Sequence, residues 1–374
     1  MSRPVRIRAG LAALSLAALA LTGCSVSAPS GGSAPSGGAG SSPAAGAASG
    51  SGSGSSAPAQ DKGTVTILTH DSFALPDDLI ARFEQESGYT LVTTAPGDAG
   101  AVVNQVLLSK DAPVADGVYG VEDHSAHRLV GQEAVAPFTP ADLPASAQEL
   151  VVGDAMTPVD RGQVCFNTDP AWFEENGVAE PTDLDQLREP QYAELTAVTS
   201  PVTSSPGLAL LAATTAEYGE DGWQGWWRDL LEGGAKVDAS WSDAYAVDFS
   251  GGEGKGEFPI VLSYSSSPAF APETAVLEDS CTPQVEYAGV LAGAKNPEGA
   301  QAFVEFMLTE DVQAAIPENM YMYPVDDAVA LPAEWEQNAP LVEDPITPDP
   351  AAFDERREDL LKEWTALAEE VQGS

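Results

Sequence analysis

The side chains of this sequence that could hold a small molecule are aromatic, acidic and hydroxylic rather than basic. His70-Asp71-Ser72-Phe73 and Gly97-Asp98-Ala99-Gly100 each set a carboxylate among small, hydroxyl or aromatic neighbours, and Glu122, Ser204, Trp241, Tyr264, Phe270 and Tyr321 follow later in the chain. Aromatic faces combined with carboxylates suit a flat, cationic ligand, by Coulomb attraction and by cation–π contacts worth about 0.5–2 kcal/mol each. Any one of these rings would by itself more readily pack a core; the set is what points to binding. Thr203-Ser204-Ser205-Pro206-Gly207-Leu208 puts hydroxyls and backbone N–H groups just ahead of a helix. Such a stretch either caps the helix or holds an anion or polar tail.

Catalytic chemistry has little to stand on. The chain has three histidines, and His is the usual base and metal ligand. It has no HExxH, no GxSxG and no GxxxxGK[ST] motif. His124 and His127 lie one helical turn apart without a third ligand at a convincing spacing, so they read as a surface helix pair and no metal site is expected. Ser204 with His70 is the only nucleophile and base that can be paired, and no motif supports it. The expectation is a protein that is not an enzyme and carries no cofactor. The formal net charge is −41, which repels phosphates and makes nucleic acid an unsuitable partner, although an acidic surface also serves solubility alone.

These residues need elements to position them. Thr64–Leu68 reads as a strand, Asp77–Ser87 as a helix stopped by Gly88, Thr90–Thr94 as a second strand, and the stretch holding Val102, Val103, Val106 and Leu107 as a second helix. This alternation argues for an α/β unit with a largely parallel sheet, whose ligands sit at the carboxyl ends of strands. Another strand end falls near Tyr119-Gly120. Gln163–Asn167 reads as the first strand of a second unit, Pro181–Leu187 as the start of a helix, and Gly251–Glu257 as a surface loop. Gln284–Leu291 reads as a strand leading back to the first unit. Gly299–Leu308 is a helix, a short one follows that ends at Pro317, and Phe353, Leu360, Leu361, Trp364 and Leu367 mark an amphipathic helix packed on one lobe.

The N-terminus carries its own information. Arg3, Arg6 and Arg8 precede the apolar run Leu11–Leu21 and then Leu21-Thr22-Gly23-Cys24, the pattern of a bacterial signal peptide with lipidation of Cys24. Removing 1–23, which holds those three arginines and no acid, takes the formal charge from −41 to −44. Residues 25–60 are almost wholly Ser, Gly, Ala and Pro, the composition of a flexible tether. The two remaining cysteines, Cys165 and Cys281, are expected to form a disulfide within one lobe, with two separate thiols as the alternative.

Several stretches, in order, resemble the thiamine-binding proteins of bacterial ABC importers, within the extracellular solute-binding superfamily. They are Thr69-His70-Asp71-Ser72-Phe73, Asp116-Gly117-Val118-Tyr119-Gly120, Thr203–Leu208, Trp241-Ser242-Asp243-Ala244-Tyr245, Leu262–Ala269 and Met322-Tyr323-Pro324-Val325. The resemblance implies a two-lobed α/β, periplasmic-binding-protein-like fold with crossover strands and a cleft that holds thiamine or its phosphates. The expected organisation is the signal peptide over 1–23, the tether over 24–60, lobe 1 from 61–160 and 286–374, and lobe 2 from 161–285. The Ser204 loop would receive the hydroxyethyl or phosphate end, aided by Trp241 and Tyr264. Trp241, Phe270 and Tyr321 would be aromatic walls, and Asp71, Asp98 and Glu122 polar contacts to the aminopyrimidine or balance for the thiazolium charge. The implied partners are an ABC permease and its ATPase, with the protein a monomer held outside the cytoplasm on the membrane through Cys24. The chain departs from its relatives in carrying His70 for a tyrosine, and Phe270 and Tyr321 for a tyrosine and a tryptophan. A ferric-iron binder, through Tyr321 and Tyr323, and a polyamine binder of the same superfamily remain alternatives, as does a surface lipoprotein without a ligand.

Overall fold

The alternation of strand and helix at the start of the chain builds one wing of a mixed sheet. β1 (Gly63–Leu68), α1 (Asp77–Ser87), β2 (Tyr89–Thr94), α2 (Ala99–Leu108) and β3 (Gly117–Glu122) follow in order, and β1 pairs in parallel with both β2 and β3. The computed structural model describes residues 61–252 and 254–373, so the signal peptide, Cys24 and the whole tether lie outside the described residues. Gly88, at φ 79°, closes α1 in the left-handed conformation that glycine adopts without strain.

α3 (Asp123–Gly131), β4 (Val135–Ala136) and β5 (Met156–Thr168) come next, then α4 (Pro170–Asn176), α5 (Pro190–Ala193) and β6 (Thr196–Thr199). A long helical stretch, α6 (Ser205–Glu232), is kinked at Gly219 and leads to β7 (Lys236–Asp238), α7 (Trp241–Asp243), β8 (Ile260–Tyr264) and α8 (Ser267–Phe270). β9 (Ala275–Leu291), α9 (Pro297–Met307), α10 (Glu310–Met320), β10 (Tyr323–Pro324), α11 (Ala333–Asn338) and α12 (Pro350–Gln372) complete the described chain.

The sheet runs β2-β1-β3-β9-β5-β8-β6-β7, with β4 beside β9 and β10 beside β5. Three parallel strands form each wing, and the antiparallel pair β5 and β9 lies between them. β5 meets β8 through Val164–Thr168, while β9 meets β3 through Glu286–Val290, so one long strand adjoins each wing and the ladder between the two joins them. This is the two-lobed α/β architecture. The register of the pair slips between Pro158 and Asp160 and again between Val164 and Phe166, bulges that bend and twist a strand locally. Cys165 and Cys281, 116 residues apart in sequence, are disulfide-bonded across this same pair.

Several expectations are corrected. β3 continues past Tyr119-Gly120 to Glu122, since what reads as a strand end is a register shift between Tyr119 and Val121 against β9. The strands read as Gln163–Asn167 and Gln284–Leu291 are halves of longer ones. The stretch 181–187 forms no α-helix; Gln186 bonds back to Thr182, and a single 3-10 turn, Gln186–Arg188, precedes Pro190. α10 runs through Pro317 to Met320, because a proline late in a helix forfeits one backbone bond while its ring is buried here. His124 and His127 are not a surface pair: His124 is buried, its ring 4.4 Å from Phe353.

α12 packs on both wings rather than one. Phe353 and Arg357 reach α3, the latter through a 3.1 Å bond to Ser125 Oγ, while Trp364 stacks edge-on against Trp227 of α6 with ring centroids 5.5 Å apart. Trp223, Trp226 and Trp227 are fully buried, and such rings contribute the largest apolar areas a core can offer.

Candidate functional site

The carboxyl ends of the wing strands converge on a cleft whose floor is the β5–β9 pair. His70 follows β1 and is buried; its Nδ1 is 2.8 Å from Ser72 Oγ and its Nε2 is 3.4 Å from Glu286 Oε2 on β9. Gly120 makes room for the ring: at φ +80° it sits where a Cβ would lie 2.0 Å from His70 Cδ2. Tyr119 Oη donates to Asp160 Oδ2 at 2.5 Å and lies 3.3 Å from Glu286 Oε2. Gln284 Nε2 extends the network, 3.3 Å from Glu286 Oε1 and 3.4 Å from Tyr264 Oη. A continuous polar path therefore crosses from His70 in one wing to Tyr264 in the other.

Burial sets the protonation states here. It pushes Asp160 well above the usual carboxylate range, and the neighbouring Glu286 charge pushes the same way. Tyr119 and Tyr264 are raised well above the ordinary phenol value, first by burial and then by nearby carboxylates. For His70, burial disfavours the charge, but Glu286, Asp98 and Asp71 together outweigh it and hold the imidazole above its ordinary value.

Above this floor stands an aromatic cluster. Trp241 stacks on Tyr245 with centroids 5.1 Å apart and an interplanar angle of 11°, and meets Tyr264 and Tyr321 edge-on at 5.7 and 5.5 Å. Trp241 Nε1 donates to Ser263 Oγ at 2.9 Å, which fixes the indole. Trp241, Ser242, Tyr245, Phe270, Glu273 and Tyr321 line a cavity of about 310 Å³. Phe270 and Tyr321 stack directly on each other at 3.9 Å. A flat ligand between them needs about 7 Å, two van der Waals contacts of ~3.5 Å, so they form one wall of the cavity rather than the two sides of a slot. Tyr321 holds φ 59°, uncommon for a residue with a side chain, and Ser266 Oγ bonds its carbonyl at 2.5 Å. The Gly251–Glu257 segment is not simply a surface loop: Gly251 and Gly254 are buried, and Gly252 and Gly254 border this cavity.

The two wings touch across the cleft mouth. Asp98 caps α2 with Oδ1 on Ala99 N at 2.6 Å, and its Oδ2 accepts from Trp241 N at 2.9 Å. Gly100 N donates to Thr203 O at 3.0 Å, and Ser242 Oγ lies 3.4 Å from Asp71 Oδ1. Burial raises Asp98, while the Ser204 hydroxyl and these backbone N–H groups ease its ionisation. Ser204 Oγ is buried with no well-directed hydrogen bond of its own.

Of the residues read from the sequence, the structure brings together His70, Asp71, Asp98, Ser204, Trp241, Tyr264, Phe270 and Tyr321. Glu122 is not among them. Its carboxylate caps α3, accepting from His124 N at 2.7 Å and Ser125 N at 3.1 Å. Ser204 and His70 do not form a nucleophile–base pair, since both His70 nitrogens face other groups. Tyr321 and Tyr323 part company: Tyr323 Oη donates to Ala339 O at 2.5 Å and its ring packs on Trp335. Among the described residues no three His, Cys, Asp or Glu side chains are grouped to hold a metal ion. Sequence reasoning missed Tyr119, Asp160, Tyr245, Gln284 and Glu286. The signal for the last two was present: polar residues two apart in an apolar strand share one face.

Comparison with known proteins gives the same answer from a different direction. The profile of the bacterial extracellular solute-binding protein family matches residues 112–344. The thiamine-binding periplasmic protein of Salmonella typhimurium is 30% identical over 322 residues, covering 83% of this chain and 94% of that one. Its namesake in Escherichia coli is 30% identical over 330 residues, with the same 83% and 94% coverage. A solved periplasmic thiamin binding protein superposes with a TM-score of 0.70 at 27% identity, covering 82% of this chain and 96% of the other. Iron-bound HitA from Pseudomonas aeruginosa shares the fold, with a TM-score of 0.64 at 20% identity over 82% of this chain and 99% of its own. These relatives are binding proteins, not enzymes. With the family profile matched over residues 112–344, more than half of its length, and a relative 30% identical over 83% of it, the chain belongs to the bacterial extracellular solute-binding proteins.

Proposed function

We propose that this protein captures thiamine, or a thiamine phosphate, outside the cytoplasm and delivers it to an ABC permease driven by its ATPase. On this reading it acts as a monomer held to the membrane by lipid on Cys24. The observation that carries the proposal is a 310 Å³ cavity walled by Trp241, Tyr245, Phe270 and Tyr321, beside buried carboxylates that no lysine or arginine neutralises among the described ion pairs. Thiamine is a cation of two flat rings joined by a methylene, with a hydroxyethyl tail. Its thiazolium gains from aromatic faces and carboxylates, and the tail can reach the buried Ser204 hydroxyl beside Asp98, ahead of α6. The names of the relatives support the same ligand.

Capture works by closure. The contacts of Asp98 with Trp241, Gly100 with Thr203 and Asp71 with Ser242 join the wings only when the cleft is shut. The polyamine alternative draws on the same carboxylates and aromatic faces, and the spermidine control below separates it from thiamine. The iron alternative needs the Tyr321 and Tyr323 hydroxyls to converge, and Tyr323 is committed to Ala339.

Isothermal titration of the purified protein with thiamine, its monophosphate and its diphosphate tests this, with spermidine and ferric citrate as controls. Submicromolar binding of a thiamine form, weakened at least tenfold by Trp241→Ala, is expected. Heat only with spermidine or ferric citrate would replace thiamine with that ligand.

A further inference from the structure

Building on that reading, we propose that His70 is the resident counter-ion of the cleft carboxylates, and that an arriving thiamine cation takes over this role and drives the His70 proton into solvent.

The argument begins with an imbalance of charge. Asp71 and Asp98 border the cleft, and Glu286 lies in its floor; none forms an ion pair with a lysine or arginine among the described residues, and Glu286 pairs with His70 alone. The groups facing His70 come from every element packed around it. Asp71 and Ser72 share its loop, Asp98 stands at the start of α2, Tyr119 and Gly120 belong to β3, and Glu286 projects from β9. Three of these are carboxylates and none is basic. The Nε2 atom is buried and makes no directed hydrogen bond, only the 3.4 Å approach to Glu286. That is the geometry of a charge held by a field rather than of a fixed structural bond.

A thiazolium in the adjoining cavity enters the same field. Two cations within one low-permittivity cleft repel, and the histidine is the one that can lose its charge. The imidazolium gives up one N–H proton to buffer, the ring remains neutral against Ser72, and the cleft keeps its net charge as one positive charge replaces another. The ring rests against Gly120, where an added Cβ would lie 2.0 Å from His70 Cδ2.

The sign follows directly. The protonated form binds the cation less well, so affinity is full above the His70 pKa and is lost as pH falls through it. Each pH unit below that point costs up to tenfold, so thiamine affinity should fall steadily as pH is lowered through the His70 titration.

The test is titration of the full protein with thiamine near pH 6.5 in two buffers of different ionisation enthalpy, which counts protons released, with a pH series of Kd for wild type and His70→Gln. In parallel, ring NMR follows the three histidines of the chain with and without thiamine, a readout that does not depend on the variant folding. Release of a substantial fraction of one proton, a Kd that is flat with pH in His70→Gln, and loss of the His70 ring proton on thiamine addition are expected. Thiamine binding with no proton release and an unmoved His70 ring would overturn the proposal and leave the ligand assignment standing. Absence of thiamine binding at every pH would overturn both.

Discussion

Gly100 is the point where a single methyl group should separate folding from ligand capture. It opens α2 in one wing, and its N–H bonds Thr203 O of the other. A Cβ at this position would lie 2.6 Å from Val202 O and 2.7 and 2.8 Å from backbone atoms of Thr203. That loop cannot yield cheaply, because Ser200 O holds Thr203 N and Ser204 N, and Ala239 O holds Thr203 Oγ1 at 2.6 Å. The clash is relieved by opening the cleft. Overpacking of this kind costs about 1–3 kcal/mol, charged entirely to the closed state, so Gly100→Ala should weaken thiamine binding roughly 5- to 150-fold. Within its own helix the same change is favourable by about 0.5–1 kcal/mol, so the melting temperature should hold or rise. Calorimetric Kd, scattering radius of gyration without ligand and thermal unfolding measure the three consequences. A variant that binds within twofold of wild type, with an unchanged radius, would refute the claim that this contact belongs to the binding-competent closed form.

Other expectations follow from separate parts of the structure. Asp98→Asn removes the charge and leaves one acceptor oxygen for the N–H groups of Ala99 and Trp241, so every thiamine form should bind more weakly and the ratio of thiamine to thiamine diphosphate affinity should move toward the diphosphate by about tenfold, or ~1.4 kcal/mol, in competitive titration. Asp123 is raised to about 8, by burial first and then by Glu122. A carboxyl raised in this way contributes its stability below the unfolded value of about 4 and loses it as pH climbs toward 8. Asp123→Asn should accordingly match wild type near pH 4 and gain on the order of 2 kcal/mol near pH 6, read from urea midpoints. Reducing the Cys165–Cys281 bond, which closes a span of 116 residues, should cost roughly 2–5 kcal/mol of unfolding free energy; an unchanged midpoint in dithiothreitol would contradict this.

How far the sequence speaks depends on the range of the interactions involved. α1 and α2 were legible because apolar spacing, Gly88 and Asp98 are local signals that the fold obeys. β5 and β9 appeared too short because Pro158, Asp160, Thr282 and Pro283 interrupt their apolar pattern at places where the strands pass between wings, and the partner strand absorbs the interruption through bulges. The aromatic and hydroxyl parts of the site were visible as residue types. The buried floor was not: Asp160 and Glu286 come from strands 126 positions apart in numbering, and nothing near either one announces Tyr119 between them. Glu122 was misassigned because a carboxylate at a strand end serves equally as a ligand contact or as the cap of the next helix, and only the geometry of α3 decides.

The Cys165–Cys281 bond has one further effect, on what a break in the chain can do. Everything between the two cysteines, including β6, α6, β7, α7 and β8, hangs from β5 and β9 as a covalently closed ring. A protease that nicks any exposed turn inside that ring produces two fragments that stay tethered, side by side in the sheet, with Trp241 and Tyr264 still facing the first wing. A cut between Asp169 and Ser280 therefore opens the ring but releases neither fragment while the disulfide is intact.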